Sequence, residues 1–284
     1  MHYLKKLDGI LTLMEAHILN HMNQQNLIIW ITGASSGLGR AMALEFASQG
    51  AIVAISARRM DQLHEVVKEI ESKGGIAKAF FCDVLDSQSI EACVNQIIVD
   101  FGKLDIAVAN AGYGVMGKME ELTEEDWKRQ LAVNVTGLAM TCKFALPHLR
   151  KTMGRLALVG SVAAFVPNPG IGAYGASKAA VHNIGESLLV ELKGSGVSCT
   201  TIHPGFVESN ITRVDNEGNY HPDRTDPRPA NLMWTTEKAS KVMVDAIWKS
   251  KTVFVFTGHG KIAVSLGKFF PGLMRKISAK IPLK

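Results

Sequence analysis

The sequence has few cysteines and none of them are paired. Cys82, Cys93, Cys142 and Cys199 stand far apart with no CxxC, which removes thiolate metal sites and dithiol redox motifs and fits a reduced, cytoplasmic setting. There is no run of 18 apolar residues, so a membrane-spanning helix is not expected. The nine histidines form no HExxH pattern, which leaves metal catalysis unsupported. Near the start, Lys5 and Lys6 are followed by Glu15 and His17, which interrupt the apolar core a signal peptide needs. Acids are missing altogether from residues 261–284, which carry Lys261, Lys268, Arg275, Lys276, Lys280 and Lys284. Taking those six from the 31 Lys and Arg leaves 25 against 26 acids, so the formal charge of +5 belongs to the tail and the body is near neutral. Bases this few, without a recognition motif, give no support to nucleic-acid binding.

What is present is a rhythm. Apolar residues make up 47% of the chain and charged residues 20%, a balance that supports a sizeable core and argues against disorder. Short β-rich runs fall at 27–32, 51–56, 76–81, 104–109, 155–160, 197–203 and 252–256. Several are continuously apolar, as strands covered on both faces are. Between them lie helical patterns at 41–48, 62–72, 87–101, 124–149 and 174–192. Seven strands with helical crossovers predict an α/β fold, a doubly wound parallel sheet with helices on both faces, in a single domain spanning 27–257. Residues 1–26 form an extension in which Leu7, Ile10, Leu11, Met14 and Ile18 make a helical apolar stripe. A translation start at Met22 is the open alternative. Residues 210–234 mix Pro, Asp, Arg, Asn and Gly without periodicity, which reads as a long functional loop.

The first strand runs into Thr32-Gly33-Ala34-Ser35-Ser36-Gly37-Leu38-Gly39, with a helix beginning near Arg40. A strand, a glycine-rich turn and a helix N-terminus together make a phosphate cradle: the backbone approaches closely and free N–H groups point at the anion. The spacing GxxxGxG departs from GxGxxG. Further on, Ser161 precedes Tyr174-Gly175-Ala176-Ser177-Lys178 by 13 positions. Tyr and Lys at i, i+4 share one helix face. A tyrosine hydroxyl titrates near pH 10, so acid–base work near neutrality calls for a shift of roughly 3 units, and a nearby ammonium is a source for it.

Together these motifs resemble the short-chain dehydrogenase/reductase family over about residues 27–257. The resemblance implies that Thr32, Gly33, Ser35, Ser36, Gly37, Leu38 and Gly39 bind the dinucleotide phosphates. It matches Asp83 to the family's adenine contact, Asn110-Ala111-Gly112 to its Asn-Ala-Gly motif, and Asn134 to its site asparagine. Pro204, Gly205, Val207 and Ser209 match the turn beside the nicotinamide, with Ser209 where many members carry Thr. It further implies that Tyr174 exchanges a proton with the substrate oxygen and that Ser161 orients that oxygen. Lys178 would lower the tyrosine pKa and hold the nicotinamide ribose, and Asn134 would support a proton relay through Lys178. The second strand ends at Ala57-Arg58, where an NAD enzyme typically places an acid. A guanidinium suits a 2′-phosphate, so the expected cofactor is NADP(H).

The expected partner is a small carbonyl compound or alcohol. The substrate pocket is placed against 113–116, 163–166, 168–171, Phe206 and the 210–234 loop. Val115, Met116, Phe165, Val166, Ile171 and Phe206 make it predominantly apolar, which favours a lipophilic substrate. Arg213, Arg224 and Arg228 face either an anionic group or water. The basic segment 258–284 alternates bases with Leu266, Phe269, Phe270, Leu273, Met274 and Ile277. It covers the body, a neighbouring subunit or a lipid headgroup layer, the last making this a membrane-surface lipid or steroid reductase. A non-catalytic NADP(H) sensor is the other rival, opposed by the joint presence of Ser161, Tyr174 and Lys178. The family resemblance implies a homodimer or homotetramer.

Overall fold

The computed structural model describes residues 25–281, so the apolar stripe expected from Leu7 to Ile18 lies outside the described residues. Seven strands form one sheet: β1 Ile28–Thr32, β2 Ile52–Ala57, β3 Ile76–Phe81, β4 Ile106–Ala109, β5 Arg155–Val159, β6 Ser198–His203 and β7 Val253–Val255. Every pairing is parallel and the order is β3-β2-β1-β4-β5-β6-β7. All seven predicted strands are there, with ends moved by no more than two residues.

Residue alternation in β1 shows why both faces must be covered. Ile29 and Ile31 enter one core with Met42 and Phe46 of α1 (Gly37–Ser48), Leu63 and Ile70 of α2 (Met60–Ser72), and Met243 and Ile247 of α7 (Thr236–Trp248). Ile28 and Trp30 enter the other core, with Ile90 and Ile97 of α3 (Ser87–Phe101), Leu149 of α5 (Leu138–Thr152), and Val181 and Leu188 of α6 (Gly172–Glu191). Successive strand side chains point to opposite faces, so an all-apolar strand demands a helix layer on each side.

The helix predicted over 124–149 is interrupted. α4 (Glu124–Leu131) is followed by a π-helical turn at Ala132–Gly137, and the chain then continues as α5. Apolar spacing alone does not reveal such a turn, because six residues are too few to set a period of their own. The acidic run ahead of it divides by role: Asp126 is buried and forms a reciprocal capping box with Thr123, while Glu124 and Glu125 stay exposed. α7 follows the 210–234 loop, capped by the Thr235 side chain on the Lys238 N–H. The loop holds only two short 3₁₀ turns, at Asn210–Arg213 and Ala230–Leu232. The tail is two helices, α8 (Gly258–Phe269) and α9 (Pro271–Ser278). No described helix is long and apolar enough to cross a membrane.

The strand order reverses between β1 and β4, since β2 and β3 lie to one side and β5, β6 and β7 to the other. In sheets of this kind ligands bind at the carboxyl ends of the strands flanking that reversal. Thr32 ends β1 and Ala109 ends β4, so the expected cradle and the Asn110 motif meet there.

Candidate active site

A cavity of about 410 Å³ opens at this reversal. Its first wall is the turn from β1 into α1. Gly33 has φ +66°, and a Cβ there would stand 2.7 Å from the Ala111 Cα. A Cβ on Gly39 would stand 2.5 Å from both the Asn110 Nδ2 and the Gly33 carbonyl oxygen. Asn110 ties the two strand ends together: its Nδ2 donates to the Thr32 carbonyl at 2.9 Å, while the Asn110 and Ala111 N–H groups donate to the Thr32 hydroxyl at 3.1 Å. Ser36 makes no side-chain cap on α1, so the first-turn N–H groups are free for an anion. Gly39→Ala is expected to force this turn apart and to cost about 1–3 kcal/mol, read as a lower thermal midpoint and weakened dinucleotide binding.

Thr32, Gly33, Ser35, Ser36, Gly37, Leu38, Gly39, Arg58, Asp83, Asn110, Ala111 and Gly112 all line this cavity. So do Ser161, Tyr174, Lys178, Pro204, Gly205, Val207 and Ser209. Arg58 and Arg59 both stand at the end of β2, with Ala57 in place of a carboxylate. Arg59 Nη2 donates to the Ser35 hydroxyl at 3.0 Å, which draws positive charge to the turn. The Asp83 carboxylate accepts the Leu85 N–H at 3.0 Å. A close-approach turn and an uncapped helix N-terminus fit the phosphates of a dinucleotide.

Three side chains meet at the other end. The Ser161 hydroxyl accepts the Ala163 N–H at 3.1 Å, which leaves its own proton to donate. Lys178 is buried, its Nζ donates to the Val159 carbonyl at 2.9 Å, and burial lowers its pKa to about 8. Its ammonium lies 5.8 Å from the Tyr174 ring centroid. Two influences oppose each other at Tyr174. Burial raises the Tyr174 hydroxyl, opposed by the Ser161 hydroxyl and the Arg228 charge. Desolvation is the larger influence, because the charged phenolate would lose water in the cleft.

Asn134 lies behind this wall. It is fully buried in the π-helical turn and absent from the cavity lining. Its Nδ2 donates to the Tyr113 carbonyl at 2.9 Å and to the Ser177 hydroxyl at 3.0 Å, while its Oδ1 accepts the Tyr113 N–H at 3.0 Å. Ser177 in turn donates to the Tyr174 carbonyl at 2.7 Å. Asn134 thereby braces α6 beneath Tyr174 and Lys178. His203 is also buried, with Nδ1 3.1 Å from the Ser161 carbonyl and a pKa lowered to about 4 by burial; it is a neutral packing group.

The expected apolar substrate lining is corrected. Val115 and Val166 are buried, Phe165 packs on His182 and His203, and Phe206 stacks on His259 at 5.1 Å. None of these, nor Met116 or Ile171, lines the cavity. Its wall is instead Tyr113, Arg129, Ile211, Val214, Glu217, Tyr220 and Arg228, apolar and charged side by side. The expected segments 113–116 and 210–234 supply Tyr113, Ile211, Val214, Glu217, Tyr220 and Arg228, and sequence reasoning missed Arg129. Arg129 pairs with Glu125 at i, i+4, the pattern of an ordinary solvated helix face. Arg228, left open between ligand and water, is a clasp: it pairs with Asp226 at 2.6 Å and donates to the Val207 carbonyl at 2.9 Å. It pins the long loop to the turn after β6.

Such a sheet with such a cleft defines a Rossmann-like nucleotide-binding α/β protein. Residues 27–219 match the family described as short chain dehydrogenase, and the chain belongs to it. Among its relatives, the probable oxidoreductase EphD of Mycobacterium tuberculosis is 31% identical over 261 residues, 87% of this chain and 44% of that protein. The chain thus spans less than half the length of that relative. Meso-2,3-butanediol dehydrogenase of Serratia marcescens is 33% identical over 191 residues, 67% of this chain and 75% of that protein. The crystal structure of an alcohol dehydrogenase from Thermococcus sibiricus complexed with 5-hydroxy-NADP superposes with a TM-score of 0.69 at 26% identity, covering 78% of this chain and 90% of that one. These relatives are named oxidoreductase or dehydrogenase, and the Thermococcus structure holds 5-hydroxy-NADP.

Proposed function

We propose that this chain is an NADP(H)-dependent oxidoreductase acting on a C–OH or C=O group, with Tyr174 as the proton donor and acceptor. One observation carries the reading: Ser161, Tyr174 and Lys178 line the same cavity as the phosphate cradle. A bound nicotinamide supplies or accepts the hydride. In the reducing direction, the Tyr174 hydroxyl gives its proton to the substrate oxygen as the carbonyl carbon gains the hydride, leaving an alcohol and a phenolate. In the oxidising direction the same oxygen takes the proton back. Ser161, its lone pair engaged by the Ala163 N–H, donates to the substrate oxygen. Lys178, with one proton on the Val159 carbonyl, keeps two for ribose hydroxyls and the developing phenolate. Asn134 acts through position, by holding Ser177 and Tyr113.

NADP(H) is favoured over NAD(H) by Arg58 and Arg59 at the cavity wall and by Ala57 in place of an acid. A lipophilic substrate rests on Ile211, Val214 and the rings of Tyr113 and Tyr220, with Arg129 and Glu217 beside them. Hydrogen bonds to a charged partner contribute roughly 1.5–3 kcal/mol, so NADPH is expected to bind about 10- to 100-fold more tightly than NADH. Arg58→Ala should raise the Kd for NADPH and leave that for NADH nearly unchanged. Nicotinamide fluorescence titrations of both cofactors, with a carbonyl and alcohol panel followed at the NADPH absorbance, test the reading. Equal binding of NADH and NADPH by the parent protein sinks the cofactor assignment. Tight cofactor binding with no turnover on any compound points to the sensor.

A further inference from the structure

The tail helices wear apolar side chains on the outside. Inwardly they are well seated: a Cβ on Gly267 would lie 2.4 Å from the Phe165 carbonyl oxygen, and Lys268 lies over the Phe165 ring at 4.9 Å. Val264, Met274 and Ser278 are buried. Facing out are Ile262, Phe269, Phe270, Leu273, Ile277 and Ile281, with Phe269 74% and Phe270 61% exposed. Scattered exposed apolar residues are ordinary, but six in one short segment form a patch that marks an interaction site.

Charge narrows the partner. Residues 261–281 hold Lys261, Lys268, Arg275, Lys276 and Lys280 and no acid. On α9, Leu273, Ile277 and the following Ile281 recur every four residues along one side, and Lys276 and Lys280 run beside that stripe. A second copy docking through the same face would bring two all-basic surfaces together, since a two-fold interface pairs a patch with itself. Apolar side chains rimmed only by bases match an anionic lipid headgroup layer, where the apolar groups sink to the acyl boundary and the bases meet phosphates.

We propose that α8 and α9 form a docking face for an anionic lipid surface, with Phe269, Phe270, Leu273 and Ile277 entering the headgroup layer. The face abuts the turn that follows Ser161, because α8 packs directly on Phe165. Docking does not depend on the oxidoreductase reading, and vesicle binding and turnover fail separately.

The test is sedimentation of the full chain with vesicles of phosphatidylcholine alone or mixed with phosphatidylglycerol, at low and high salt. Binding is expected with the anionic vesicles, weaker in high salt because exposed charges are screened within about 8–10 Å. Lys276→Gln with Lys280→Gln should weaken it about 25-fold, at about fivefold for each base removed. Phe269→Ser with Phe270→Ser should abolish it while the thermal midpoint and dinucleotide binding hold, as both rings are exposed. A full chain that stays in the supernatant with both vesicle types overturns the proposal. Parent-like binding by both double variants does the same. An oligomer that splits in the phenylalanine variant, with no vesicle binding by the parent, assigns the face to a second copy and overturns it too.

Discussion

Tyr174→Phe is expected to lower turnover by about 10²–10⁴-fold, the usual contribution of a positioned acid–base group, while the fold and dinucleotide affinity stay near those of the parent. Only the hydroxyl is lost, and the ring keeps its place on α6 beside the Lys178 ammonium. Burial holds the Tyr174 hydroxyl protonated in the structure described, the form required for giving a proton to a carbonyl oxygen. The reducing direction is therefore expected to be the one the resting protein is ready for. Steady-state rates in both directions, with cofactor Kd measured separately, check this. A Tyr174→Phe protein turning over at near the parent rate would remove Tyr174 from the chemistry. If the same variant also failed to bind cofactor, the residue would be a structural one.

The second large effect is a gain and a loss in one substitution. Lys178→Met is expected to stabilise the dinucleotide-free protein and to cut turnover by about 10²-fold or more. Burial moves the Lys178 pKa from 10.5 to about 8, which corresponds to about 3 kcal/mol of unfavourable burial of the charged form at neutral pH. The replacement forfeits the hydrogen bond to the Val159 carbonyl, worth roughly 1 kcal/mol, so a net gain of about 2 kcal/mol remains. The pH dependence has a definite sign. The unfolded chain keeps this proton up to about 10.5 and the folded chain only up to about 8, so between those values unfolding takes up a proton and rising pH stabilises the parent fold. The advantage of the Lys178→Met protein should be full at pH 7 and fade as the pH climbs from about 8 towards 10.5. Thermal melts of both proteins across that range decide it. A variant less stable than the parent at pH 7 would mean that the ammonium is better accommodated than its single hydrogen bond indicates. A lysine kept where it costs stability is what a functional site shows, and its removal separates stability from activity.

Residue order alone dictates the sheet and the cradle. Continuous apolar runs at 28–31 and 156–159 are strands buried on both faces because such segments have no polar side to give to water. Thr32 to Gly39 is a strand-to-helix turn in which Gly33 and Gly39 admit no Cβ, a steric demand written into residue type. Tyr174 and Lys178 share a face because a helix repeats every 3.6 residues. What lay beyond the sequence was convergence between distant segments. Asn134 reads as a site residue, yet it faces Tyr113 and Ser177 because a π-helical turn, invisible to periodicity, rotates that part of the chain. Six apolar residues read as pocket lining, yet Val115 and Val166 are core and Met116 is exposed, since hydrophobicity does not say what a side chain packs against. Arg228 looks like one of three interchangeable loop arginines, and only the folded loop brings Asp226 and the Val207 carbonyl to it. In the tail, spacing marked an amphipathic segment. Only the packing of α8 and α9 decided which apolar residues, Val264 and Met274, are buried, and which, Phe269, Phe270, Leu273 and Ile277, are left exposed. Local sequence sets a residue's element and its side of that element, and tertiary contacts alone determine what stands across from it.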